Sequence, residues 1–128
     1  MRLLVDSHAL VWWYLDDRRL SQSAQAALLD RGNQILVSPV NAWEIATKYR
    51  LGKLPEAIPL IAGFSALLDA DGFQRLQVSE AHALRAGSYR HPHGDPFDRL
   101  LAAQCEIEGL TLVTRDPVFA AFNCPTLW

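Results

Sequence analysis

Asp95-Pro96-Phe97-Asp98-Arg99-Leu100-Leu101-Ala102-Ala103-Gln104-Cys105-Glu106-Ile107-Glu108-Gly109, followed at once by Leu110-Thr111-Leu112-Val113-Thr114, is the stretch on which the fold turns. Asp95 is a strong N-cap, Pro96 suits the first helical position, and Gly109 is a natural C-terminal stop, so the first fifteen residues read as one well-delimited helix. Leu100, Leu101, Cys105 and Ile107, with the alanines between them, give that helix an apolar face. The run after Gly109 is a short buried strand, so a helix feeds directly into a strand. Asp98 lies in the first turn, where free backbone N–H groups and the helix dipole favour a carboxylate. It either complements that dipole or belongs to a site, and its neighbours in space decide which.

Working outward, the same alternation recurs. Arg2-Leu3-Leu4-Val5 is a strand that stops at an acid, Asp6. Asp6 or Ser7 caps a helix over Ala9 to Asp16 that is apolar nearly all round, which calls either for complete burial or for a second chain against it. Ser21 caps a helix through Leu29, Gln34 to Val37 is a strand, and Ser38-Pro39 opens a helix over Val40 to Leu51. Pro55 and Pro59 bracket a loop before a helix from Leu60 to Asp71. Phe73 to Val78 alternates as a strand, Ser79 starts a short helix from Ala81 to Ala86, and Ser88 to Gly94 is a polar loop with His91-Pro92-His93. Val118 to Phe122 makes one helical turn, and Pro125 to Trp128 is a last short strand. Strands alternating with helices predict a parallel sheet covered on both faces. No repeat and no linker divides residues 1–128, so one domain is expected.

Composition narrows the function. The chain has 128 residues, half of them hydrophobic and a fifth charged, an ordinary globular balance. No apolar run is long enough to span a membrane or to act as a signal peptide, so a cytoplasmic protein is expected. Cys105 and Cys124 read as two buried thiols. The formal charge is −2. If four acids gather in one site, the remaining ten face twelve Lys and Arg, which is compatible with a polyanionic partner. No G-x-S-x-G is present, and Gly52-Lys53 lacks the earlier Gly and the following Ser or Thr of a phosphate-binding loop, which excludes the motif-bearing serine hydrolases and nucleotide-triphosphate enzymes.

In open α/β sheets the ligand site lies outside the carboxyl ends of the strands, where the strand order reverses. Asp6 and Asp116 each follow a strand, Asp98 opens a helix, and Glu44 leans over from the helix after the second strand. Separately, Asp6 is accounted for as an N-cap, Asp116 as a turn residue, and Glu44 as the partner of Lys48 four residues on, a pair worth about 0.2–0.5 kcal/mol. Four acids at one edge require a joint explanation. Crowded carboxylates raise one another's pKa and call for a counter-charge. Mg²⁺ or Mn²⁺ takes such oxygen ligands, leaves positions for phosphate oxygens and lowers the pKa of an attacking water.

Four motifs in register, Leu3-Leu4-Val5-Asp6-Ser7-His8-Ala9-Leu10, Val37-Ser38 with Trp43-Glu44-Ile45-Ala46 and Lys48, Asp95-Pro96-Phe97-Asp98-Arg99-Leu100-Leu101, and Leu112-Val113-Thr114-Arg115-Asp116 with Phe119, resemble the PIN-domain ribonucleases of the VapC toxin type. The resemblance implies a three-layer α/β/α fold with a central parallel sheet of four or five strands. It implies Mg²⁺- or Mn²⁺-dependent endonucleolytic cleavage of RNA by water, homodimers, and inhibition by a cognate antitoxin. Carried over by position, Asp6, Glu44 and Asp98 are the core metal-binding and catalytic acids, with Asp116 the fourth. Ser7, Asp95 and Thr114 are accessory candidates, and Lys48, Arg99, Arg115 and His93 are candidate contacts to RNA phosphates. Ser7 stands where Thr is common, and Asn41 where small or apolar residues are usual.

Two other readings share these residues. One keeps the fold and the antitoxin but makes the protein a catalytically silent RNA-binding or autoregulatory module. The other is a phospho-accepting receiver domain, which needs an Asp after a central strand and a Lys after a late one, where this chain has Ser38 and Arg115.

Overall fold

The computed structural model describes residues 1–128 and is built on one five-stranded sheet in which every neighbouring pair is parallel. Its strands are β1 (Arg2–Val5), β2 (Gln34–Val37), β3 (Gln74–Arg75), β4 (Thr111–Val113) and β5 (Thr126–Leu127), in the spatial order β3-β2-β1-β4-β5. The order grows one way from β1 through β2 to β3, then resumes on the other side with β4, so the switch point lies between β1 and β4. Registers are Leu3 beside Ile35 on one flank and Leu3 beside Thr111 on the other. Seven α-helices cover the sheet: α1 (Ser7–Tyr14), α2 (Gln22–Leu29), α3 (Pro39–Arg50), α4 (Ile58–Ala62), α5 (Phe64–Asp71), α6 (Glu80–Ser88) and α7 (Pro96–Glu108).

Side chains on a strand alternate between faces, and β1 divides the core accordingly. Leu3 and Val5 join Leu10, Leu28, Ile45 and Leu68 in one layer, whereas Leu4 joins Leu36, Leu101, Leu112 and Phe119 in the other. Leu101 on α7 is fully buried, and truncating it to Ala would cost about 2–5 kcal/mol. Asp95 accepts from the backbone N–H groups of Phe97 (2.8 Å) and Asp98 (3.2 Å), and Gly109 closes α7 at φ 66°, a left-handed conformation that suits glycine.

The structure departs from the sequence expectation in three elements. The helix expected over Leu60 to Asp71 is α4 and α5, separated at Gly63. That residue's N–H still bonds Pro59 O while its own C=O already accepts from Leu67. The strand expected over Phe73 to Val78 is only Gln74–Arg75, because Phe73 turns into the core and the chain leaves the sheet edge to start α6 at the Ser79 cap. The short helix expected over Ala81 to Ala86 is α6, which starts at Glu80 and runs through Gly87 to Ser88. The apolar α1 takes the burial alternative: Ala9, Leu10, Val11 and Trp12 are all buried within this chain, so α1 gives no independent support for a second chain. No helix is long and apolar enough to cross a membrane.

Candidate functional site

Asp6 follows the last residue of β1, Glu44 sits in the second turn of α3, and Asp98 in the first turn of α7; all three are buried. Each offers a carboxylate oxygen, and the three oxygens lie within 4.8 Å of one another. The local explanation for each acid is also correct. Asp6 Oδ1 accepts from the Ser7 N–H at 2.8 Å as the cap of α1, and Glu44 Oε2 accepts from Lys48 Nζ at 2.7 Å. A cap and an i,i+4 pair use one oxygen each, and Glu44 Oε1 remains buried with no hydrogen-bond partner. Buried polar atoms without partners are rare and costly.

The cluster is held by a polar frame. Asn41, fully buried, donates through Nδ2 to Val5 O (2.9 Å) and Ser7 Oγ (3.1 Å), and its Oδ1 accepts from the Ser38 N–H (2.9 Å). It thereby fastens the start of α3 to the end of β1 and fixes how Glu44 stands against Asp6. Thr114, just past β4, donates its hydroxyl to Asp6 Oδ2 (2.8 Å) and accepts from the Asp116 N–H (3.1 Å). His93 Nε2 lies 2.7 Å from Asp98 Oδ2.

Burial pushes the Asp6 carboxyl up to about 7; the Thr114 hydroxyl opposes the rise, and the charges of Glu44 and Asp98 add to it. Asp98 is pushed up to about 6, again chiefly by burial, against the His93 hydrogen bond and together with Asp95 and Glu44. Burial disfavours the Lys48 charge, but Glu44 outweighs it and holds the ammonium above its ordinary value. Such a set of crowded oxygen ligands with one oxygen left unpartnered fits a hard divalent cation.

Of the remaining candidates, Asp116 is exposed, stands outside the three-carboxylate cluster, and caps the short 3₁₀ turn after β4 through Val118 N–H. It lines a cleft that also reaches Asp6. Arg99 donates to four carbonyls, those of Ala86, Tyr89, His91 and His93, so its guanidinium clamps the loop between α6 and α7. Lys48 is committed to Glu44. Arg115 lies over the Trp12 ring at 4.4 Å and joins no ion pair. Asn41 is the positioning residue whose role sequence reasoning missed. Its signal was its place in the first turn after the Ser38-Pro39 cap, where its side chain can bond back to the cap.

The PIN domain family model matches residues 3–123, and the chain belongs to that family. It is 29% identical over 129 residues to a Mycobacterium tuberculosis protein named ribonuclease VapC22, covering 98% of each chain. Among solved structures it resembles VapBC2 from Rickettsia felis, crystallised bound to a promoter DNA fragment, with a TM-score of 0.71 and 18% identity over 99% of this chain and 98% of that one. It also resembles a toxin–antitoxin complex from Klebsiella pneumoniae, with a TM-score of 0.63 and 18% identity over 98% of this chain and 96% of that one. These structural likenesses concern the fold.

Proposed function

We propose that this PIN domain, read as one unit over residues 1–128, is an endoribonuclease and acts as the toxin of a toxin–antitoxin pair. The observation that carries the catalytic reading is the buried Asp6–Glu44–Asp98 cluster with Glu44 Oε1 unpartnered. The ribonuclease name of its relative supports RNA as the substrate. Asp6, Glu44 and Asp98 would hold Mg²⁺ or Mn²⁺, with Asp116 a fourth acid contacting the ion directly or through water. The ion, when bound, supplies charge for the scissile phosphate and a water of lowered pKa.

The protein's own part is positional and electrostatic. Thr114 and Ser7 N–H hold the two Asp6 oxygens, Asn41 sets the spacing between β1 and α3, and Asp95 orients the first turn that carries Asp98. Lys48 tempers the negative charge on Glu44. His93 Nε2, 2.7 Å from Asp98 Oδ2, helps to fix the orientation of that carboxylate. Arg115, with no ion pair of its own, is the freest of the four basic candidates to meet an RNA phosphate.

A cytoplasmic protein with a cognate antitoxin and a homodimeric state completes the reading. The toxin–antitoxin complexes among its structural neighbours support the first partner. Trp43, Leu51 and Ile58, exposed apolar side chains on and just after α3, support the second.

Incubation of the full chain with an RNA panel, in Mg²⁺, in Mn²⁺ and in chelator, tests the reading. Metal-dependent cutting that Asp98→Asn abolishes without loss of fold is the expected result. RNA bound without turnover under every metal would overturn it in favour of the silent binding module.

A further inference from the structure

Beside the acidic cluster runs a cleft of about 410 Å³, within the size range of ligand pockets. Its lining brings the acids Asp6 and Asp116 together with Arg19, Arg115, His8 and Trp128 around the ring of Trp12. We propose that this cleft is a nucleotide subsite that holds one residue of single-stranded RNA beside the scissile phosphate, its own phosphate on Arg115 and its base against Trp128 and His8. The inference rests on the ribonuclease reading above and assigns a part of the substrate to a part of the molecule.

Trp12 is the floor. It is 4% exposed, so its position is fixed by the core and not by the ligand. Around it stand the Arg115 guanidinium at 4.4 Å, the Arg19 guanidinium at 5.1 Å, His8 at 5.6 Å and Trp128 edge-on at 5.8 Å. Arg19 is already committed to Asp17, with its Nη2 at 2.8 Å from Oδ2. Arg115 is different. Its guanidinium lies over the Trp12 ring with no hydrogen bond or ion pair to any side chain or carbonyl, so its N–H donors are free, and those donors match a phosphate in bidentate geometry.

An arginine stacked on a tryptophan is a common surface arrangement and alone identifies no ligand. Here the stack opens on a cleft also lined by a proposed metal ligand, and Arg115 forms no ion pair with the adjacent Asp116. A ligand that carries anions on either side of a planar group satisfies the acids, once a cation sits on them, together with Arg115 and the aromatic rings. A strand of RNA has that repeat. Stacking tolerates every base, so the subsite supplies affinity and register more than sequence choice.

The test is equilibrium binding of a fluorescein-labelled single-stranded RNA hexamer of mixed sequence to the full chain in Mg²⁺, in an Asp98→Asn background where cutting is silent. Arg115→Ala and Trp128→Ala should each weaken binding about tenfold. Arg115→Ala should also lower the slope of log affinity against log salt by about 0.7, the share of one phosphate on a single strand. Trp128→Phe, which keeps a ring, should bind like the parent, and thermal melts establish that the variants are folded. Unchanged affinity and salt slope in both alanine variants would overturn the subsite, whatever cleavage does. Weakened binding by those variants, when the unmodified chain cuts no RNA in either metal, would uphold the subsite and sink the nuclease reading. Displacement of the hexamer by hexaglutamate at equal affinity would overturn the nucleotide assignment in favour of an acidic protein ligand.

Discussion

The Thr114 hydroxyl donates to Asp6 Oδ2 at 2.8 Å with both side chains buried, tying the residue after β1 to the residue after β4 across the point where strand order reverses. A hydrogen bond to a buried charged group is worth about 1.5–3 kcal/mol. Thr114→Val keeps the volume and removes the donor. At pH 8 it should lose about that much stability by chemical denaturation, and Asp6 should titrate above its parent value of about 7. Thr114→Ser should retain both.

The raised carboxyls set a pH dependence for the metal-free chain. Asp6 at about 7 and Asp98 at about 6 bind protons in the folded state that the unfolded state, near 3.8, has already released. Stability therefore falls as pH rises from about 4 to about 7. His8, held below its ordinary value chiefly by burial, works in the opposite direction, and Glu106, held at about 2 by Arg85 and Tyr89, matters only in acid. In chelator, denaturation should show less stability at pH 8 than at pH 5. Asp6→Asn and Asp98→Asn should each flatten that difference, and Mg²⁺ should restore stability to the parent at pH 8 by binding the folded form.

Asn41→Leu should damage both stability and activity. It leaves Val5 O and Ser38 N–H buried without their side-chain partners, at roughly 1–3 kcal/mol for each group left unsatisfied. Because Asn41 also sets α3 against β1, RNA cleavage should fall further than the loss of folded protein explains. Cleavage per folded molecule, measured beside a denaturation curve, checks this.

Arg99→Gln removes the charge and cannot reach four carbonyls at once. Amide hydrogen exchange over residues 89–94 should speed up, while the salt dependence of RNA binding stays that of the parent. A reduced salt slope would instead place Arg99 on the RNA backbone.

Most of the fold is legible in the chain because its signals are local. The Asp95-Pro96 start and Gly109 stop define α7, Ser38-Pro39 defines the start of α3, and apolar runs ending at Asp6 and Thr114 mark β1 and β4. Where signals conflict, reading fails: Gly63 divides one expected helix, and an edge strand with exposed Gln74 and Arg75 is too short to be bounded by alternation. Asp6, Glu44 and Asp98 were readable as a group because parallel topology sends such positions to one edge. The engagement of Arg99 by four carbonyls was not readable, since a basic residue beside an acid looks the same in sequence whether it faces substrate or its own loop. Neither bond of Asn41, back to the Ser38 N–H or across to Val5 O, was read from the sequence, the first because only the cap residue itself was considered and the second because it joins elements distant in the chain.

The central strand β1 is made first and is flanked on one side by β4, whose residues Thr111 to Val113 pair with Leu3 to Val5 from the far end of the chain. The Asp6–Thr114 bond spans 108 residues, and Asp98 lies on the helix just before β4. During synthesis at about 5–20 residues per second, the nascent chain thus carries Asp6 and Glu44 for several seconds before Asp98 and Thr114 exist to complete the cluster. A truncated product that stops before α7 holds two of the three acids and lacks the strand that fixes the first. Birth of the nuclease centre is therefore a late, all-or-none event, and abortive translation products of this gene are expected to be harmless to RNA.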